Sequence, residues 1–192
     1  MPFDVQNPGM PGDTVLAVVL GALLATFGGF IAARLEAWLR RGERERDAGL
    51  LLGEVVFTFG MVLKMACESR AIGDPYGPIT LRMLRGAQRE ADAYERNRER
   101  LSDLRDAPLR IKVHTLMITL TMTLEGLMDY TRDIAALPDT PAGRASAEGL
   151  RTERDGSFDF IATTVGQLDP LLKRLGEIAH VSFDGHEAIV RA

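Results

Sequence analysis

"TVLAVVLGALLATFGGFIAA", residues 14–33, runs for twenty residues without a charge. As a helix rising 1.5 Å per residue it spans about 30 Å, the thickness of a bilayer's hydrocarbon core. A helix in a soluble core needs one apolar face, whereas this run is apolar on every face. Arg34, Arg40 and Arg41 close it, and Trp38, the only tryptophan, sits among them. Basic and amphipathic aromatic side chains gather where a span leaves the hydrocarbon for the headgroups. The reading is a transmembrane helix over 14–39, with Arg34, Trp38, Arg40 and Arg41 at the membrane interface.

A cleavable signal peptide would need a basic start, a shorter apolar core and a small-residue cleavage site. Residues 1–13 hold Asp4 and Asp13 but no Lys or Arg, and the apolar run is too long. Arg34, Arg40, Arg41, Arg44 and Arg46 all follow the run. The positive-inside rule therefore predicts an N-terminus outside a bacterial inner membrane and a cytoplasmic C-terminal domain, in a single-pass topology. Residues 1–13 are expected to form a short, weakly ordered extracytoplasmic tail.

Within the span, Ala17, Gly21, Ala25, Gly29 and Ala33 place a small side chain at every fourth position. Residues four apart form one inclined ridge on a helix. In lipid, helices gain nothing hydrophobic by associating, so close backbone approach over small residues is a main source of packing energy. The ridge predicts contact with another transmembrane helix, either a second copy or a partner subunit.

The remaining sequence predicts an all-α protein: the span, then an antiparallel cytoplasmic bundle of about four helices. Residues 40–49, "RRGERERDAG", mix both signs and read as a charged helical connector. The bundle is expected over 50–181. In 50–67, Leu52, Val55, Val56, Phe59, Val62, Leu63 and Ala66 share one face. Glu54 and Lys64 argue for a core helix there and against a second span. "GDPYGP", 73–78, breaks the chain.

A polar helix follows over about 79–105, with a seam of Leu84, Ala87, Ala91, Tyr94, Leu101 and Leu104. After Pro108 comes the helix expected to be most buried, on Val113, Leu116, Met117, Leu120, Leu124, Leu127 and Met128, flanked by Ile118 and Met122. Residues 137–156 read by composition as a mobile linker. The last helix is expected over about 157–180, on Ile161, Val165, Leu168, Leu172, Leu175 and Ala179. Pro170 implies a kink or restart there, with Asp169 as cap. Residues 182–192 form a tail without a pattern.

Chemistry is sparse. A net charge of −4 over 192 residues gives nucleic acid no purchase, and the basic residues of 82–112 are interspersed with acids. The one cysteine, Cys67, permits no internal disulfide and no thiolate metal cluster. His114, His180 and His186 lack metal-ligand spacing. Glu177 and His180 have the Glu-x-x-His spacing of di-iron bundles, but a di-iron site needs two such pairs and only this one is present. Glu125 and Asp129 lie one turn apart, and Thr115, Thr119 and Thr123 repeat every fourth residue on the same helix, as a close-packing face or a half-exposed one would. No cofactor is implied. The expected function is that of a noncatalytic structural or accessory subunit of a membrane complex, homo- or hetero-oligomeric, acting through the small-residue face. A membrane-tethered helical binding or signalling module is the alternative.

Overall fold

A computed structural model describes residues 11–73 and 75–183. The chain is all-helical, and no strand occurs among the described residues. Five α-helices follow in order among the described residues: α1 (Pro11–Ile72), α2 (Pro78–Asn97), α3 (Ala107–Ala136), α4 (Pro141–Thr164) and α5 (Leu168–Ala179). Short 3-10 turns, Arg98–Asp103 and Val165–Gln167, follow α2 and α4.

The chain divides into two compact units, Met1–Glu43 and Arg44–Ala192. In the first, the described residues belong to α1, and its large apolar side chains are exposed, from Leu16 at 65% to Trp38 at 63%. Over Val19–Ile72, α1 is long and apolar enough to cross a membrane by length and composition. Pro11–Asp13, expected in the tail, already belong to this helix, while residues 1–10 lie outside the described residues. The connector at 40–49 and the core segment at 50–67 are not separate elements either, because α1 continues through both to Ile72.

The second unit holds the core. Leu52, Val56, Phe59, Leu63 and Ala66 of α1 are buried, which makes 50–67 a core helix. Leu84, Ala87, Ala91 and Tyr94 bury the narrow seam of α2. From α3, Val113, Met117, Leu120, Leu124 and Leu127 are fully enclosed. Met122, expected to flank that core, is 66% exposed because it projects from the opposite face.

The expected linker at 137–156 is helical from Pro141 onward. Proline suits the first turn of a helix, and Thr140 Oγ1 accepts the Gly143 N–H at 3.0 Å, so the start is capped. Gly143 packs against the carbonyl of Pro138 with no room for a β-carbon, and Ala147 is buried. The four residues between α3 and α4 turn the two helices into an antiparallel hairpin. No helix starts at 157, because α4 runs unbroken through it to Thr164, and the restart expected at Pro170 falls a few residues earlier, at the 3-10 turn Val165–Gln167. Gln167 precedes α5 without a side-chain cap, and Asp169 lies in the first turn, bound to Lys64.

α1 and α5 run antiparallel at close range. Gly49 faces Leu175 and Ile178, whereas Gly60 faces Leu168. Around residues 45 and 46, α1 is tied to other elements: Glu45 pairs with Arg105 at 3.1 Å, and Arg46 donates to the Ala179 carbonyl at 3.3 Å.

Candidate functional site

The small-residue ridge lies on α1. Gly21, Ala25, Gly29 and Ala33 are exposed, and a β-carbon added at Gly21 or Gly29 would meet nothing within 4 Å. Ala17 belongs to α1, but its side chain lies outside the described residues. The interfacial group is also exposed. Arg34 stacks over the Phe30 ring at 5.2 Å, Arg40 pairs with Glu36 at 2.5 Å, and Trp38 and Arg41 face outward.

The second unit carries a groove that sequence reasoning missed. It lies between α1 and α5, has a volume of about 920 Å³, and is floored by Phe57, Met61, Met65, Leu168 and Leu172. Gly60 makes it: a β-carbon there would meet Leu168 Cδ1 at 2.8 Å, so the bare backbone lets α5 come close. The groove's end is formed by a chain reversal. His180 closes α5 in the left-handed region at φ 57°, and the N–H of Val181 donates back to the Gly176 carbonyl. The chain then returns toward α1, where Phe183 reaches Gly53 and packs on Phe57 with ring centroids 6.4 Å apart.

Charges rim the apolar floor. Lys64 Nζ donates to Asp169 at 2.8 Å, and Glu177 accepts from Arg174 at 2.6 Å. Lys173 has no carboxylate partner among the described residues. Only three of the 23 basic residues are lysines, and Lys64 and Lys173 are two of them. The third, Lys112, lines a second groove of about 970 Å³ beside Ile111 and Phe160. The scarcity of lysine was the one signal in the sequence that pointed at these positions.

A cation–aromatic cluster fastens the α1–α2 turn to α4. The Arg154 guanidinium lies 3.3 Å from the Tyr76 ring centroid, and Arg70 lies 4.7 Å from that of Phe158. Tyr76 meets Phe158 edge-on at 6.0 Å and donates its hydroxyl to Asp155. Arg70 pairs with Asp159 at 2.5 Å. Burial, then the hydrogen bond to Asp155 and its charge, push the Tyr76 phenol up to about 12. Nε of Arg154 is buried without a hydrogen-bond partner. In the sequence, "GDPYGP" reads only as a breaker. The aromatic ring between its two glycines is what α4 grips.

The remaining candidates fall apart in space. His114 Nδ1 lies 3.0 Å from the Tyr94 hydroxyl inside the bundle. Glu177 is taken by Arg174, and His180 serves as the C-cap. No group of three or more His, Cys, Asp or Glu that could hold a metal occurs among the described residues, and His186 lies outside them. Asp129 pairs with Arg132 at 2.9 Å, and Glu125 faces solvent. Thr123 donates to the Thr119 carbonyl one turn back, and Thr115 is exposed. Burial raises the Cys67 thiol above its ordinary value, with Arg70 opposing.

No protein-family model, no curated protein and no solved structure matches this chain.

Proposed function

We propose that this chain is a noncatalytic single-span membrane protein, a structural or accessory subunit that assembles through the small-residue face of its span. One observation carries the reading. From Val19 to Leu39 every described side chain is exposed, including Leu20, Leu23, Leu24, Phe27, Phe30 and Ile31, while Gly21 and Gly29 have open space before them. Apolar surface of that extent is not left to water in a soluble monomer. Lipid covers the bulky side chains, and a second transmembrane helix approaches over Gly21, Ala25, Gly29 and Ala33. In this reading the span occupies 14–39 in a bacterial inner membrane, with Trp38 and Arg41 at the cytoplasmic headgroups and the helical bundle in the cytoplasm.

The test is topological. Cys67→Ser removes the one native thiol, and Asp13→Cys or Arg144→Cys then supplies a reporter. An impermeant maleimide should label the first from outside intact cells and the second only after lysis, with the chain retained in membranes after alkaline carbonate. Release by carbonate, or the reverse labelling, contradicts the reading.

The groove between α1 and α5 favours a second role for the same molecule, that of a membrane-tethered bundle that holds a ligand. Apolar clefts of this size with a few polar groups at the rim are the usual form of a ligand site.

A further inference from the structure

We propose that the α1–α5 groove binds a long-chain carboxylate, with its acyl chain along the apolar floor and its head on Lys173. The volume of about 920 Å³ falls within the range of small-molecule sites. Phe57, Met61, Met65, Leu168, Leu172 and Phe183 supply an apolar lining. The two methionines are unbranched and adapt to a flexible chain.

Charge sets both the head and the direction. Of the groove's acids, Asp169 is neutralised by Lys64 at 2.8 Å and Glu177 by Arg174 at 2.6 Å. That leaves the Lys173 ammonium without a carboxylate among the described residues. Because α1 and α5 are antiparallel, with Gly60 facing Leu168 and Gly49 facing Ile178, Lys173 lies toward the Phe183 end. Glu68 stands one turn beyond Lys64, toward the other end. An anionic head is therefore drawn to the Lys173 end and repelled from the other.

A lysine ammonium is a compact point charge on a flexible stem, so it can meet a single carboxylate without a fixed fork geometry. In a chain that uses arginine at all but three of its 23 basic positions, lysine stands at both cationic places on this floor. The left-handed backbone of His180 closes the same end, and a non-glycine residue held there stores strain that surrounding structure must sustain.

The full chain in non-ionic detergent would be irradiated with a diazirine-bearing hexadecanoic acid, and labelled peptides would be mapped. Hexadecylamine with the same diazirine is the control for partitioning, because both amphiphiles reach the exposed apolar helix equally. The acid should label 57–65 and 168–172 at least fivefold over the amine, with equal labelling of 14–33. Lys173→Glu should bring groove labelling by the acid down to the level of the amine, and Lys173→Arg should restore most of it. Circular dichroism of both variants confirms the fold, since the side chain is exposed. Equal groove labelling by acid and amine, no groove labelling, or indifference to Lys173→Glu would overturn the proposal. None of these outcomes bears on whether residues 14–39 span a membrane.

Discussion

The ring of Phe183 occupies the space that a β-carbon on Gly53 would need. Two residues 130 positions apart in the chain are thereby made dependent on each other. The glycine has no conformational role, since it sits inside the regular helix α1. Its value is the missing side chain.

Gly53→Ala should therefore destabilise the chain by about 1 kcal/mol, because overpacking at about 1–3 kcal/mol outweighs the gain in helix propensity of about 1 kcal/mol. In a Phe183→Ala background the ring is gone and only the propensity gain remains. There Gly53→Ala should stabilise. Denaturant titration of all four variants checks the reversal of sign, and the same sign in both backgrounds would show that the ring does not rest there.

Truncating Phe59, which is fully buried on α1, should cost about 3–5 kcal/mol through lost burial and the cavity left behind. Met122→Ala should stay within about 0.5 kcal/mol, since the side chain is 66% exposed. Urea midpoints at constant slope separate the two. A large loss at Met122 would mean that this face of α3 is covered.

The contrast between those two residues shows what was readable in the sequence and why. A seam at spacings of three and four records burial, so the core faces of Leu52 to Ala66, Val113 to Leu127 and Ile161 to Ala179 are legible from spacing alone, with Val55 and Val62 only half-buried at the edge of the first. The exposure of Met122 is not legible, because an apolar side chain costs little on an exposed face and leaves no mark in the pattern. The Pro, Ala and Gly content of residues 137–156 resembles that of a linker. Yet Pro141 and the cap from Thr140 are helix-start signals, and small residues are what a close α3–α4 hairpin requires. The groove was invisible because its walls come from α1 and α5, and spacing within one helix says nothing about the gap between two.

The start of α4 gives a direct check on that correction. Thr140→Ala removes the acceptor for the Gly143 N–H and should cost about 0.5–2 kcal/mol, with Thr140→Asn near neutral. Equal stability of Thr140→Ala and the parent chain would return 137–156 to a linker.

Alkaline pH should weaken the grip on the α1–α2 turn. The Tyr76 phenol is raised from 10.0 to about 12, so the folded chain keeps a proton that the unfolded chain has lost. Stability from this group is complete below pH 10 and declines as pH rises toward 12. Tyr94 is raised as well and acts in the same direction. Thermal midpoints between pH 9 and 12 should fall less steeply in Tyr76→Phe than in the parent. Parallel slopes would remove Tyr76 from the account.

Assembly through the span is the central claim, and the protein mass of the detergent-extracted complex tests it most directly. Light scattering with composition analysis should give a small multiple of 21.1 kDa, or a larger mass containing other polypeptides. In Gly29→Ile, which sets a branched side chain where backbones should touch, the protein mass should fall to that of one chain. A parent protein already at 21.1 kDa, or a complex whose mass Gly29→Ile leaves unchanged, would contradict it.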